Sequence, residues 1–499
     1  MRVALVHLSR GVDGTPVSPL VDHLGLGILA AVLRRAGHEA TILDTGPLSL
    51  DIAELPQMVL DCEPDLIGFS LNYVNIAESL ALIRALRESI PHVPMTAGGL
   101  YATFHAEALL QRGVDLVVLG EGEQPLLRLA EQGKDRKAWS QISGLAWLEN
   151  GTIRRTDPIP GLALDDLPDA ARDTLPPFTN LPRGSFKVAL EASRGCKHTC
   201  RFCSIAAAQR LDNTAGRRRT KSPELIAREI AAIVSQYGLR DFWFMDADFL
   251  GGRDELARQL AIAEAIGSLG QDITFEMDTR ADGVTPEAIA ALRQAGLDRV
   301  FLGVESFDQA TLDLFAKGAT VEGNRRAVDI LEEAGVRPLL GTIMFHPKST
   351  LAQLRRDHEA LAAIGYEKTQ MLFRLKKYRG SRDAGDLDCD GRGISFNEDY
   401  GWEFKDPVMG LAWNLFDRAR LQLMDAVFND LTKAFHRGEV DVPTFVRRSD
   451  RIFHSLGEFF SHMLEILERP NSTRLLPERG KLLEEIDKLV AAQLKAAGQ

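Results

Sequence analysis

Residues 187–203 read KVALEASRGCKHTCRFC, and this stretch decides the fold class. Its first part, Lys187–Ala192, has the composition of a buried strand, and a polar loop follows directly. Cys196, Cys200 and Cys203 are spaced C-x3-C-x2-C in that loop, so their thiolates can converge on one metal centre. The chain has 5 cysteines in 499 residues, which is no disulfide framework, so the clustering of three of them carries the information.

Two kinds of metal site suit these thiolates. Zinc wants a fourth ligand, which His198 inside the loop could supply, because Cys62 and Cys389 stand alone in the sequence. Three ligands with one open position instead favour a [4Fe–4S] cluster whose fourth iron binds an external ligand. A third interpretation, three buried cysteines without function, is disfavoured because the loop is polar.

Strand and helix patterns alternate after this stretch. Six apolar runs separated by amphipathic segments predict a partial (βα)6 barrel over residues 185–384, whose chemistry lies at the carboxyl ends of the strands. Helical patterns dominate residues 385–499, and we expect this domain to cover the barrel mouth. The six predicted strands are Lys187–Ala192, Asp241–Met245, Ile273–Met277, Arg299–Val304, Leu339–Phe345 and Thr369–Phe373.

A cysteine loop of this spacing after the first strand of a six-unit barrel, with Phe202 before the third cysteine, resembles the radical S-adenosylmethionine enzymes over about residues 187–375. The resemblance implies that the three cysteines hold a [4Fe–4S] cluster whose open iron chelates the amino and carboxylate groups of S-adenosylmethionine. One electron would then give a 5′-deoxyadenosyl radical, chemistry that belongs to the cofactor. Polar residues at strand ends are candidate contacts to S-adenosylmethionine: Asp246, Asp248, Arg280, Glu305 and Ser306. Alternatively, the two aspartates cap the next helix and Glu305 pairs with Arg280.

Residues 1–130 show the same alternation with different loops. Continuous apolar strands between helices predict a Rossmann-like doubly wound α/β domain, with a ligand crevice beyond the carboxyl ends of its parallel strands. The alternation of strand and helix patterns stops over residues 131–184, and we interpret them as a linker with a hairpin turn at Glu149–Thr152. The predicted strands of the first domain are Arg2–His7, Ala40–Asp44, Asp65–Ser70, Val93–Ala97 and Val114–Gly120.

The order and spacing of segments in this first domain resemble the cobalamin-binding domain that precedes many radical enzymes. The resemblance implies contacts to the corrin ring and nucleotide tail from Ser70, Leu71, Gly98, Gly99, Glu121 and Gly122. The D-x-H-x-x-G signature, which brings a histidine to cobalt in other cobalamin proteins, is absent here. If cobalamin binds, we therefore expect the lower face of cobalt to lack protein nitrogen. The alternative is a domain that serves only as a scaffold.

Composition excludes several other classes. The 59 Lys and Arg against 70 Asp and Glu give a net charge of −11, which argues against a non-specific nucleic-acid binder. No apolar stretch reaches the roughly 18 residues of a membrane span, and the N-terminus does not resemble a signal peptide. The expected compartment is the cytoplasm.

The resemblance therefore implies a cobalamin-dependent radical S-adenosylmethionine enzyme. We expect a methyltransferase that acts on carbon or phosphorus of a small-molecule or peptide secondary metabolite and takes electrons from a reductant such as flavodoxin or ferredoxin. A radical cyclase, a rearrangement enzyme or another S-adenosylmethionine group-transfer enzyme is the alternative within the class. A structural metal-binding protein is the alternative outside it.

Overall fold

The computed structural model describes most of the chain. Its description covers residues 1–8, 20–46, 52–73, 75–132, 136–158, 161–175, 183–184, 186–211, 216–376, 381, 404, 406–423, 427–436, 438–469 and 476–497. Cys389 and residues 388–391 and 400–402, which the sequence suggests as possible contact loops, lie outside the described residues.

The first part of the chain forms a layered α/β structure. Its strands are β1 (Arg2–His7), β2 (Leu20–Val21), β3 (Glu39–Asp44), β4 (Leu66–Ser70), β5 (Met95–Gly98), β6 (Leu116–Val118), β7 (Leu145–Glu149) and β8 (Thr152–Arg155). Its helices are α1 (Leu24–Arg35), α2 (Leu55–Asp61), α3 (Ile76–Ser89), α4 (Leu100–Phe104), α5 (Ala106–Leu110) and α6 (Glu123–Gln132).

Seven of these strands form one sheet in the order β3-β1-β4-β5-β6-β7-β8. The first five are parallel, and Val3 of β1 lies between Ala40 of β3 and Leu66 of β4. The last two form an antiparallel hairpin that turns at Asn150 and Gly151 and continues the same sheet. Separate apolar clusters cover the two faces, as the continuous apolar strands predict.

The second part of the chain contains the predicted barrel strands. They are β9 (Phe186–Leu190), β10 (Ser193–Gly195), β11 (Arg218–Thr220), β12 (Asp241–Phe244), β13 (Thr274–Arg280), β14 (Leu297–Glu305), β15 (Arg337–Phe345) and β16 (Thr369–Arg374). The intervening helices are α7 (Ser204–Leu211), α8 (Pro223–Tyr237), α9 (Leu256–Gly267), α10 (Pro286–Gln294), α11 (Gln309–Leu314), α12 (Val321–Glu333) and α13 (Leu351–Ile364).

The six barrel strands pair in parallel, and a seventh strand joins them from the other end of the chain. The sheet order is β16-β15-β14-β13-β12-β9-β2, and Leu20 of β2 pairs with Phe186 of β9. No pairing joins β2 to β16 among the described residues, so the barrel is a partial one. The six-strand prediction is confirmed, but no sequence pattern predicts β2, because two residues are too few for a periodic pattern.

A buried ion network reinforces this shared strand. Asp22 follows β2 and accepts a hydrogen bond from the backbone N–H of Ala189 in β9 at 2.8 Å. Its other carboxylate oxygen binds Arg172, whose guanidinium also reaches Glu229 at 2.8 Å. Glu229 in turn accepts from Lys221 at 2.5 Å, and all of these side chains are buried. The start of the chain is thereby fixed to the barrel.

Four helices follow the barrel: α14 (Pro407–Leu423), α15 (Asn429–His436), α16 (Val442–Leu467) and α17 (Leu476–Ala497). Asp450 of α16 binds Arg337, the first residue of β15, at 2.7 Å, and Phe460 of α16 contacts Phe345 at the other end of that strand. These helices therefore pack along the last barrel strands. Their apolar faces pack against the side of the sheet, and Phe404 packs against the same small cluster as Phe202 of the cysteine loop. That the C-terminal region covers the barrel mouth stays a prediction.

None of the helices in the described ranges combines the length and the apolar character needed to cross a bilayer.

Candidate functional site

The cysteine loop lies at the carboxyl end of β9 and begins in a short antiparallel ribbon of β10 and β11. Gly195 ends β10 with φ +83°, and a Cβ there would lie 2.4 Å from the Arg217 carbonyl oxygen, so only glycine fits. Cys196 and Cys200 are buried and Cys203 is half-buried. Burial raises the pKa of the Cys196 thiol to about 11 and also raises that of Cys203.

The residue types of this loop fit an iron–sulfur cluster better than zinc. Within the described ranges, no three His, Cys, Asp or Glu side chains are close enough together to hold one ion, so the assignment depends on chemistry and spacing. His198, the candidate fourth zinc ligand, turns toward Asp282, with Nε2 and Oδ2 3.6 Å apart. A three-thiolate set with no fourth ligand matches a site-differentiated cluster.

Arg280 ends β13 and reaches the cysteine loop. Its Nη1 donates to Cys200 Sγ at 3.3 Å, while Nε and Nη2 each donate to Asp282 at 2.9 Å. Glu305 ends β14 with φ +64° and accepts a hydrogen bond from Lys317 Nζ at 2.8 Å. These residues bring the ends of two strands to the loop, as expected of chemistry at the carboxyl rim.

Asp246 and Asp248 lie at the same rim, but neighbouring groups already bind their carboxylates. Asp246 accepts from the Ala192 N–H at 3.0 Å and from the Ser193 hydroxyl, and burial raises its pKa to about 6. Asp248 accepts from the Thr279 hydroxyl at 2.8 Å. These bonds tie the first strands of the barrel together at the base of the loop.

Ser306 is the predicted residue that the structure does not bring to this rim. It is fully buried, and its hydroxyl donates to Asp357 of α13 at 2.8 Å, in the layer of helices outside the sheet. Alternation along the strand end explains the difference, because consecutive residues point to opposite faces.

An acid that was not predicted as a site residue, Asp278, faces the barrel lumen. Phe275 and Met277 of β13 belong to the core under the helices, so the residue after them, Asp278, faces the opposite side. Its Oδ1 accepts from Trp243 Nε1 at 3.0 Å, and burial raises its pKa to about 7. The sequence signal that could have identified Asp278 is its alternate position on β13, next to Trp243 on the neighbouring strand β12.

A cavity of about 270 Å³ opens at the carboxyl ends of the first sheet. Five predicted cobalamin contacts line it, namely Ser70, Gly98, Gly99, Glu121 and Gly122, whereas Leu71 is buried behind them. Two polar groups in its wall are informative: His23 Nε2 lies 2.8 Å from Ser70 Oγ, and the buried Thr96 hydroxyl has no hydrogen-bond partner among the described residues. A ligand with polar atoms at its edge would supply the hydrogen-bond partners that these wall groups need.

A second cavity, of about 440 Å³, lies between the two domains. It shares Gly99, Gly120, Glu121, Glu191 and Arg194 with the first cavity, so the two spaces are neighbours. Leu100 from the first domain and Met245 from the end of β12 line it, and both are unusually exposed for large apolar side chains. Gly195, next to the first cysteine, forms part of the same wall.

Two arginines of the barrel bind the acidic loop of the first domain. Arg194 Nη1 donates to Glu123 at 2.6 Å and lies 3.3 Å from Glu121, while its other nitrogens bind Glu191. Arg219 also binds Glu121. Burial opposes the charge of Arg194, but the surrounding carboxylates outweigh it and raise its pKa. These two arginines therefore connect the barrel to the first domain.

Two family models match this chain, one over each of its two α/β parts. The family model of the Radical SAM superfamily matches residues 190–361, and that of the B12 binding domain matches residues 12–130.

Two curated relatives and one solved structure are informative. The chain is 26% identical to an uncharacterized methyltransferase, PH0819, of Pyrococcus horikoshii over 68% of this chain and 72% of the relative. It is 25% identical to the anaerobic magnesium-protoporphyrin IX monomethyl ester cyclase of Cereibacter sphaeroides, over 67% of this chain and 55% of that relative's length. The structure of the cobalamin-dependent S-adenosylmethionine radical enzyme OxsB with aqua-cobalamin bound superimposes with a TM-score of 0.78 at 16% identity, covering 99% of this chain and 81% of that one. That likeness shows a shared fold.

Proposed function

Because this chain belongs to the radical S-adenosylmethionine enzymes that carry a cobalamin-binding domain, we propose that it is a methyltransferase. Its acceptor is an unactivated carbon, or phosphorus, of a small-molecule or peptide secondary metabolite. The observation that carries this proposal is the pair of adjoining cavities between the glycine-lined crevice of the first domain and the cysteine loop of the barrel.

When bound, the cluster and S-adenosylmethionine supply a carbon-centred radical, and cobalamin supplies the methyl group. Cys196, Cys200 and Cys203 hold the cluster. Gly98 and Gly99 line the cavity that would take the corrin. Position 99 needs glycine, since its φ is +96° and a Cβ there would lie 2.8 Å from the Leu71 carbonyl oxygen. Leu100 and Met245 line the adjoining cavity and would present apolar surface to the ring.

The rim of the barrel holds S-adenosylmethionine in this proposal. Glu305 and its partner Lys317 offer polar groups at the end of β14, and Asp246 and Asp248 fix the backbone beside the cysteine loop. Asp278 lies farther down the lumen, where its carboxyl can accept a hydrogen bond from the substrate. The Arg194 network keeps the corrin cavity closed against the loop.

A radical cyclase is the second candidate, favoured by the similarity to the cyclase of Cereibacter sphaeroides. The two reactions differ in the fate of the methyl group. A methyltransferase moves the carbon of methyl-labelled S-adenosylmethionine into its product and releases S-adenosylhomocysteine with 5′-deoxyadenosine. A cyclase releases 5′-deoxyadenosine without transfer of label.

The experiment that tests the proposal is anaerobic reconstitution of the full chain with iron, sulfide and cobalamin. We expect reductive cleavage of S-adenosylmethionine, and we expect Cys196→Ala, Cys200→Ala and Cys203→Ala each to abolish both the cluster and the cleavage, since two thiolates cannot hold the cube. Cys62→Ala is the matched control, because this half-buried thiol lies in the first domain, where it donates to the Met58 carbonyl oxygen and contacts Thr41 of β3. A zinc-containing, colourless protein would refute the enzyme assignment.

The electron donor in this proposal is a low-potential carrier such as flavodoxin or ferredoxin, and the compartment is the cytoplasm, where reducing conditions keep cysteines as thiols.

A further inference from the structure

The guanidinium of Arg280 is held in place on every side. It is buried, Asp282 takes two of its N–H groups at 2.9 Å each, and the Lys317 carbonyl accepts a third at 2.6 Å. Nη1 is thereby aimed at Cys200 Sγ, 3.3 Å away. A bidentate carboxylate clamp gives this contact a fixed geometry.

The contact distinguishes Cys200 from the other two cysteines. Cys196 Sγ accepts from the backbone N–H of His198 at 3.4 Å, and Cys203 accepts from backbone groups at the start of α7. Only Cys200, among the three, receives a charged side-chain donor in the described structure. A charged donor is roughly twice as strong as a neutral one.

We propose that Arg280 is a positioning residue that raises the reduction potential of the cluster through its N–H···S bond to Cys200. Reduction adds one electron, and part of that negative charge resides on the cysteine sulfurs. A fixed cation in a buried site stabilises the reduced cluster more than the oxidised one. This inference rests on the proposed function only in requiring that the three cysteines hold a cluster.

Reduction of the cluster is a one-electron step. One electron passes from a low-potential donor, dithionite in the assay, to the oxidised cluster. No bond forms or breaks, and the proton of Nη1 stays on Arg280 in both states.

The test is a redox titration of the reconstituted full-length protein, followed by electron paramagnetic resonance without S-adenosylmethionine. Arg280→Gln should lower the midpoint potential at unchanged iron and sulfide content, and Arg280→Lys, which keeps the charge, should recover part of the shift. Arg183→Gln is the control, because Arg183 is exposed and pairs with Asp272 near the opposite ends of the strands. Full cluster content with an unchanged potential in both Arg280 variants would overturn the proposal.

If the Arg280 variants lose the cluster, a second measurement on the wild-type protein tests the contact between Arg280 and the cluster. The wild-type protein labelled with guanidino-15N arginine should show 15N modulation in the electron spin echo of its reduced cluster. Absence of that modulation would overturn the role of Arg280 while leaving the cluster assignment intact. A wild-type protein that binds no cluster would overturn both proposals.

Discussion

His23 shows how one residue serves both a helix and a cavity. Its Nδ1 accepts the Leu26 N–H at 3.1 Å at the start of α1, so the ring proton lies on Nε2 and is donated to Ser70. The Ser70 hydroxyl proton is then available to another acceptor. The wall of the first cavity therefore presents an oriented donor.

The buried ring of His23 predicts acid sensitivity. Burial lowers the pKa of His23 to about 3, far below its value of 6.5 in an unfolded chain. Between these values the unfolded state binds the extra proton, so stability falls as the pH decreases, by about 1 kcal/mol per pH unit. We expect His23→Asn, which can still cap α1, to show a shallower loss of stability between pH 6.5 and 4.5 in denaturant titrations. An identical slope in both proteins would contradict this.

The histidines of the first domain also bear on cobalt. His7 and His23 form an edge-to-face pair, and Nδ1 of His7 lies 3.2 Å from the Ser70 carbonyl oxygen. Burial lowers the pKa of His7 to about 4. Both nitrogens of the His23 ring are engaged, Nδ1 by the Leu26 N–H and Nε2 by Ser70, which leaves this ring poorly placed to ligate a metal. His7 is buried and is not among the residues that line the cavity.

We therefore expect cob(II)alamin bound to this protein to be five-coordinate without an axial imidazole. Electron paramagnetic resonance should show cobalt hyperfine lines free of nitrogen superhyperfine splitting. Splitting that persists in the protein and disappears in His23→Asn would show the prediction wrong. Failure to bind any cobalamin would undo the methyltransferase proposal itself.

At the scale of an element, the β10–β11 ribbon sets the position of the first cysteine. Gly195→Ala would place a methyl group 2.4 Å from the Arg217 carbonyl oxygen, so the ribbon must open and Cys196 must shift. We expect a marked loss of bound iron per chain after reconstitution.

Gly184→Ala is the matched control for that experiment. Gly184 has the same φ of +83° but nothing within 4 Å of its added Cβ. The substitution should cost about 1 kcal/mol of backbone strain and leave iron content unchanged. Equal iron content in the two variants would mean that the ribbon does not position Cys196.

Strands and helices with a clear hydrophobic pattern could be predicted from the sequence. Very short strands, and contacts between residues far apart in the sequence, could not. All six barrel strands and the cysteine loop follow from local patterns, because a buried parallel strand is a continuous apolar run. β2 has two residues, and its partner is Phe186, so no local pattern identifies it. The arginines at 194 and 219 were likewise invisible, since their partners lie on another domain.

The whole molecule depends on the buried network around Arg172. Burial alone would raise the pKa of Glu229, but Arg172 and Lys221 hold it below its usual value. Arg172→Met would leave Asp22 and Glu229 buried with one cation fewer. We expect a loss of about 3–5 kcal/mol in the free energy of unfolding, measured by denaturant titration of the apoprotein.

Arg34→Met provides the comparison for Arg172. Arg34 forms an ion pair with Asp173, but more than a third of each side chain is exposed to solvent. Such a pair contributes about 0–1 kcal/mol, so the variant should unfold close to the wild-type midpoint. Similar losses in the two variants would mean that breaking the buried network costs no more stability than breaking an exposed ion pair.

The shared strand has a consequence for synthesis on the ribosome. Leu20 and Val21 leave the exit tunnel early, yet the strand they pair with begins at Phe186. At 5–20 residues per second, this segment waits on the order of ten seconds for its partner. Leu20 and Val21 therefore gain their partner strand only after the first barrel strand has emerged, and a nascent chain halted before that point exposes a strand edge that chaperones can recognise.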